Sequence, residues 1–262
     1  MRSLRRAMAL GCAAASCLVA SVCHGHAGAH GASAGLPRLV GKRGTAFALE
    51  TSRFDLDGVR GTNVALVISA WWTLRGAWLA SLSGPLALTK IEGTATRVGT
   101  GEISGSIAYR LLYDDLKRLS LMLSYRTPPT LQSSEGWSAG TLVGRAILAL
   151  DDGRWAMTVF AGFLGVIGTG GVPRFLQPHS TAELLGGLRL RAPLPLGLFV
   201  GLGSELRVVV ATSARGRMLA TLSPRVGWRP APGLQIELVG AAPVTPARRQ
   251  DWGARARVIA SY

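Results

Sequence analysis

Three residues form the one grouping that suits acyl-transfer chemistry. His179, Ser180 and Glu183 are a base, a nucleophile and a carboxylate, the residue types that an activated-serine site requires. Base and nucleophile must converge side to side, and adjacent residues of one loop rarely reach that geometry. The grouping is kept as an alternative, and we predict no catalytic residues.

Two pairs of adjacent carboxylates suit general acid–base chemistry. They are Asp114-Asp115 and Asp151-Asp152. Each pair lies in a short predicted turn, where aspartate is favoured because its side chain bonds the backbone. We therefore interpret both pairs as turn formers.

Arginines alternate with apolar residues in the carboxyl-terminal stretch from Trp252 to Tyr262. Arg255 and Arg257 share one parity, and Val258 shares the other with the two terminal aromatics. Because a strand points successive side chains to opposite faces, the stretch predicts a strand with one apolar face and one arginine face. At about 3.3 Å per residue and a tilt of about 40°, it spans about 25 Å, the height of the apolar band of an outer-membrane barrel.

The same alternation recurs along the chain and predicts a closed antiparallel transmembrane β-barrel of about twelve strands. Ten strands is the nearest alternative. Closure is required because an open sheet edge in lipid leaves backbone groups unpaired. The segments are 45–54, 62–74, 77–91, 102–112, 118–127, 137–149, 154–166, 181–191, 197–210, 216–228, 233–241 and 251–262.

Charged side chains collect on the parity opposite to the apolar face, and we predict that they line the lumen. Either they form a charged ladder that is tolerated only inside the barrel, or they form an arginine-rich lumen that selects anions. The predicted lumen residues are Arg110, Arg126, Arg189, Arg191, Arg207, Arg255, Arg257, Glu102, Glu183 and Glu205, with Glu237 as a further counterion.

Aromatic residues fall near the ends of the predicted strands, as membrane-interface girdles require. Trp137 shares parity with Arg145, which predicts a bulge between them or a different strand. At the periplasmic end we place Trp72, Trp78, Tyr109, Trp155, Trp228 and Tyr262, and at the outer end Tyr125, Trp137 and Trp252.

The connections between segments alternate between short and long, as periplasmic turns and outer loops do in bacterial barrels. Arg229–Pro232 and Leu150–Gly153 are examples of the predicted turns, and Asp55–Gly61 is one of the predicted outer loops. Pro224 lies within a segment and removes a ladder hydrogen bond, so it predicts a kink or bulge.

The amino terminus resembles an export signal over residues 1–29. It has a basic head, an apolar core and the cleavage motif Ala27-Gly28-Ala29; a short membrane anchor is the alternative. Residues 30–44 are then a periplasmic segment and residues 45–262 the barrel.

Most of the cysteine and histidine residues, which are common metal ligands, lie in or next to the predicted export signal. The cysteines all lie inside it and the first three histidines flank its cleavage site, so we predict no disulfide, no metal site and no cofactor. These residues are Cys12, Cys17, Cys23, His24, His26 and His30.

The net charge of +15 narrows the choice of partners. No block of five or six basic residues and no nucleic-acid-binding motif occurs, so we expect no nucleic-acid partner. We expect outer-membrane lipid, the phosphates of lipopolysaccharide, anions in a pore and the barrel-assembly machinery instead. An arginine-rich genome explains the charge equally well.

One stretch, residues 99–150, resembles a known family. It contains Gly99-Thr100-Gly101-Glu102-Ile103, Ile107-Ala108-Tyr109-Arg110-Leu111-Leu112, the strand Leu121–Tyr125 and the loop Thr127-Pro128-Pro129-Thr130. It is similar to the outer-membrane meta-pathway of phenol degradation protein family, although Leu131 stands where that family has glycine. The resemblance implies a β-barrel that takes up small organic compounds, without catalytic residues.

Four functions follow from these expectations. The first is a passive outer-membrane pore or transporter for small organic or anionic solutes. The second is a structural or lipopolysaccharide-contacting barrel with a plugged lumen. The others are a barrel lipid hydrolase and a soluble exported β-sandwich.

Overall fold

The alternating segments fold as β-strands. The computed structural model describes residues 43–56, 59–114, 116–127, 140–167, 182–211, 215–247 and 250–262. One 3-10 turn, Pro195–Gly197, precedes β10. The strands are β1 (Arg43–Leu56), β2 (Val59–Thr73), β3 (Trp78–Ile91), β4 (Arg97–Thr100), β5 (Ser104–Tyr113), β6 (Lys117–Arg126), β7 (Gly140–Asp151), β8 (Ala156–Ile167), β9 (Ala182–Pro193), β10 (Leu198–Ala211), β11 (Met218–Ala231), β12 (Leu234–Pro243) and β13 (Trp252–Ser261).

The strands form one closed antiparallel sheet. Consecutive strands pair with each other, except that β5 pairs with β3 instead of β4, and β1 also pairs with β13 over ten residue pairs, from Gly44↔Ser261 to Arg53↔Trp252. Among the described residues, every strand except β4, which pairs with β3 alone, therefore has a partner on both sides, which is what a sheet in hydrocarbon requires. The closed barrel confirms the predicted fold class.

Two short strands, β4 and β5, share one position in the barrel wall. β4 pairs with one half of β3, from Leu86 to Thr89, and β5 pairs with the other half, from Trp78 to Ser83. The barrel is thus twelve-stranded, as predicted. The break between β4 and β5 contains Glu102, which is buried.

The two faces of the wall differ in polarity. In β2, Leu66 and Ile68 on the outer face are 45% and 51% exposed, whereas Ala65 and Val67 on the inner face are buried. The same alternation places exposed leucines, valines and phenylalanines around the outside of the barrel. Among the described residues, no helix is both long enough and apolar enough to cross a membrane.

The two ends of the barrel are distinguished by their connections. We call the end that holds Tyr262 and the short turns the turn end, and the opposite end the loop end. At the turn end, the Asp114 carboxylate accepts backbone hydrogen bonds from Leu116 and Lys117. Asp152 accepts two from Arg154 and Trp155 in the same way. These two aspartates act as turn formers.

Two local predictions differ from the structure, one of them only in part. The outer loop predicted over 55–61 is much shorter, because β1 and β2 stay paired up to Leu56↔Val59. Pro224 causes no bulge: the β10–β11 register runs unbroken through it, and the irregularity with β12 lies between Trp228 and Ala231. The missing proline N–H interrupts pairing with β12 locally but leaves the register unchanged.

Candidate functional site

The inner face of the barrel carries the charged side chains and is the candidate functional site. Glu102 lies in the break between β4 and β5, and the other predicted lumen residues lie on the inner face of strands. These residues are Arg110, Arg126, Arg189, Arg191, Arg207, Arg255, Arg257, Glu183 and Glu205.

One ion-pair network is centred on Arg207, which is 6% exposed. Its guanidinium lies 2.7 Å from the Glu205 carboxylate and 3.4 Å from the Glu183 carboxylate, both measured from Nη atoms to Oε atoms. Arg126 Nη1 and Glu102 Oε2 form a second buried pair at 3.8 Å. Because buried charges are costly without partners, these pairs let the lumen hold charge within the barrel.

A second network connects β11, β12, β13 and β1. The Glu237 carboxylate is 2% exposed and bonds both Arg257 and Arg225, the latter at 3.2 Å. Beside it, Arg255 Nε lies 2.6 Å from Glu50 Oε1. Four adjacent strands therefore carry paired charged side chains on one wall of the lumen.

The prediction omitted several inner-face residues. Glu50 shares parity with Ala46 and Ala48, which are small, whereas the large Phe47 has the opposite parity and is exposed. This alternation could have indicated that Glu50 lies on the inner face. Arg225 lies on the opposite parity to Trp228. Another omission is Arg145, which is buried with its guanidinium 5.3 Å from the Phe160 ring centroid.

Trp137 and Arg145 share parity, although one is predicted to face lipid and the other is charged. The structure places only Arg145. β7 begins at Gly140, and Arg145 lies on its inner face together with Val143 and Ile147. Trp137 itself lies outside the described residues.

In the described part of the barrel, three of the cavities follow one another along the lumen. The loop-end cavity has a volume of about 120 Å³ and an arginine-rich wall built mainly from β10–β13. The middle cavity, of about 50 Å³, is bordered on β1, β2, β3 and β5 by small side chains. The turn-end cavity, of about 320 Å³, lies beside the turn from Pro230 to Gly233.

Shared side chains connect the three cavities. Glu50, Arg255 and Arg257 line both the loop-end and the middle cavity. Trp71 and Ile259 line both the middle and the turn-end cavity. A solute that crossed the barrel along these cavities would therefore pass a group of charged side chains and then a group of apolar ones.

The apolar group belongs to a layer of buried side chains. Trp71 is 5% exposed and its ring covers Gly44, where a Cβ would lie 2.2 Å from Trp71 Cζ2. The indole Nε1 is buried and has no hydrogen-bond partner among the residues that the structure describes. The layer consists of Ala46, Trp71, Leu79, Ala108, Met122, Ile147, Phe160 and Ile259.

The predicted interface aromatics project outward. Those described are between 39% and 62% exposed, and the rings of Trp78 and Tyr109 contact each other with centroids 4.8 Å apart. The indole Nε1 of Trp228 donates to the Leu196 carbonyl at 3.1 Å. The described set is Trp72, Trp78, Tyr109, Tyr125, Trp155, Trp228, Trp252 and Tyr262.

The described residues do not bring the candidate catalytic side chains together. His179 and Ser180 lie outside the described residues, and Glu183 is fully buried in its ion pair with Arg207. Asp151 is paired with Arg191 at 3.4 Å. Within the described ranges, no group of three or more His, Cys, Asp or Glu side chains is arranged to hold a metal ion.

A closed wall with an apolar outside and a charged inside defines the class of protein. The chain folds as a transmembrane β-barrel of the kind found in bacterial outer membranes.

Comparisons with solved structures agree with this class. An outer-membrane channel from Pseudomonas putida F1 superposes with a TM-score of 0.64 at 11% sequence identity, over 87% of this chain and 97% of the channel. The porin NanC gives a TM-score of 0.53 at 8% identity, over 82% of this chain and 98% of the porin. The translocator domain of the autotransporter NalP from Neisseria meningitidis gives 0.52 at 12% identity, over 84% and 87% of the two chains. At these identities the likeness shows the fold alone.

Sequence comparisons add no family. No protein-family model matches the chain, and no curated protein sequence is significantly similar to it. Similarity to the phenol degradation family therefore stays a prediction.

Proposed function

We propose that this protein is a passive channel for small solutes in the bacterial outer membrane, with a preference for anions. The observation that carries the proposal is the series of three cavities linked by shared wall residues. The side chains shared by neighbouring cavities are the points that a solute has to pass on its way through the barrel.

The preference for anions rests on the wall of the loop-end cavity. Five arginines line it, whereas its carboxylates are Glu50 and Glu205, each held by one of those arginines. Rings of basic side chains favour anions in pores because they replace part of the water that the ion loses. The five arginines are Arg189, Arg207, Arg225, Arg255 and Arg257.

Organic anions suit the route best. After the arginine wall, a solute meets Trp71 and Ile259, and such apolar side chains favour a solute with an apolar body. The resemblance of residues 99–150 to the phenol degradation family also supports uptake of small organic compounds.

A second candidate function is favoured by the apolar layer. Its side chains come from eight strands and fill much of the lumen beside the arginine wall. A barrel closed at this level would serve as a structural element of the outer membrane. Arg53 and Lys90, which are exposed on the outer face near the loop end, would then contact the phosphates of lipopolysaccharide.

Planar-bilayer recording separates the two candidates. The refolded protein should give stepwise single-channel currents, and in a KCl gradient the zero-current potential should have the sign of chloride selectivity. Arg255→Gln should reduce that potential, because it removes a cation from the charged group shared by the loop-end and middle cavities. Arg53→Gln is the matched control, since it removes the same charge from the outer face. A folded protein without current would favour the structural barrel.

A further inference from the structure

One lumen arginine lacks a carboxylate. Among the described residues, Arg189 makes no hydrogen bond and no ion pair, and its guanidinium lies 5.8 Å from the Phe160 ring centroid. Arg191, two positions along the same face, has Asp151 at 3.4 Å. Arg189 also lines the loop-end cavity.

Two other arginines of this cavity have only one carboxylate between them. Arg225 and Arg257 share the single carboxylate of Glu237. Together with Arg189, these arginines place three cations on one wall of the loop-end cavity, and the one carboxylate bonded to them, Glu237, is buried behind that wall.

Gly203 allows two of these side chains to lie close together. A Cβ added at Gly203 would lie 3.1 Å from Arg225 Nη2 and 3.6 Å from Arg189 Cγ. Both arginine side chains therefore pass over the same stretch of bare backbone. The Ser223 Cβ is 3.5 Å from the same point, which places a hydroxyl group beside the two arginines.

The other carboxylates of this cavity are already engaged. Glu205 is held by Arg207 at 2.7 Å, and Glu50 is held by Arg255 at 2.6 Å. A cluster of cations that excludes most water needs counter-charge, and the five arginines that line this cavity outnumber Glu50, Glu205 and Glu237, the carboxylates bonded to them there.

We propose that Arg189, Arg225 and Arg257 form a binding site for one small oxyanion in the loop-end cavity. The ligand carries a carboxylate or phosphate group, because planar guanidinium groups bind these oxygens in pairs. The Ser223 hydroxyl donates an additional hydrogen bond. The site rests on the proposed function only in requiring that solutes reach this cavity from the loop end.

Equilibrium binding tests the site directly. We would titrate the refolded barrel in detergent with inorganic phosphate and, separately, with acetate, and follow the heat of binding. The wild-type protein should saturate with one site, and Arg189→Gln should weaken binding about tenfold to a hundredfold, since a charge-assisted bond is lost. Arg191→Gln should change the affinity by less than about threefold, because that side chain is occupied by Asp151. The relative affinities for phosphate and acetate identify the group that the site prefers.

A second variant tests the same site without removing its positive charge. Arg189→Lys keeps the charge but loses the planar donor pair, so its affinity should fall between those of the wild type and Arg189→Gln. Folding of each variant is checked by the gel-mobility shift between unheated and heated samples.

The outcomes separate this proposal from the channel. Absence of saturable binding to the folded wild type, or equal losses for the variants at 189 and 191, would overturn the site. Binding by a protein that gives no bilayer current would leave the site standing and remove the channel. Bilayer current from a protein that does not bind the oxyanion would leave the channel standing and remove the site.

Discussion

Replacement of Glu237 by glutamine perturbs the lumen where its charge balance depends on one carboxylate. Glu237 is 2% exposed, while the Arg225 and Arg257 side chains that it bonds are 14% and 16% exposed. The substitution keeps the size of the side chain but leaves two guanidinium groups without their anion. We expect the folded barrel to lose stability and the lumen to become more positive.

The size of the loss follows from the burial. Removal of one partner from a buried ion pair costs about 3–5 kcal/mol, because the other charge stays desolvated. Both arginines also border the loop-end cavity, where water solvates part of each orphaned group. We therefore expect a decrease of about 3 kcal/mol in the free energy of unfolding, at the lower end of that range.

Reversible urea unfolding in lipid vesicles, followed by tryptophan fluorescence, measures this loss. Glu92→Gln is the control, since Glu92 is exposed at the loop end and its removal should change the free energy by less than about 0.5 kcal/mol. The double variant Glu237→Gln/Arg257→Gln should lose less than the sum of the single losses, by about 0.5–3 kcal/mol. A loss for Glu237→Gln no larger than that of the control would refute the reasoning.

Two further predictions concern the apolar group and the outer wall. Trp71→Ala should raise the single-channel conductance, because it removes the ring that separates the middle and turn-end cavities, whereas Trp72→Ala on the outer face should leave the conductance unchanged. Leu202→Arg, in the middle of the outer face of β10, should cost about 2–4 kcal/mol of unfolding free energy in vesicles, against about 0–1 for Met218→Arg at a strand end. Equal conductance changes for the two tryptophan variants, or equal costs for the two arginine variants, would contradict these expectations.

The strands were predictable because alternation is a local property. Hydrophobic parity along the chain indicated the twelve segments and the face that each presents to lipid. It did not indicate the break between β4 and β5, which depends on how two separate segments pair with β3. The unbroken register through Pro224 likewise depends on which neighbouring strand would have received its N–H.

The charged wall was predictable as a composition but not as a set of contacts. Parity separates Arg255 and Arg257 from the lipid face, yet it does not show that Arg255 pairs with Glu50, which lies 205 positions earlier in the sequence. Nor does it distinguish Arg189 from Arg191, which share a face but differ in their partners. Those differences arise from barrel closure and strand stagger, which no single segment encodes.

Access to the middle cavity tests the central claim most directly. Ser81→Cys places a thiol in that cavity, and Leu86→Cys places one on the lipid-facing wall of the same strand. A water-soluble anionic thiosulfonate, added from either side of a bilayer, should modify the cysteine at 81 and block the current, with no effect on the cysteine at 86. A cysteine at 81 that reacts from neither side, in a folded barrel, would contradict a continuous passage through the lumen.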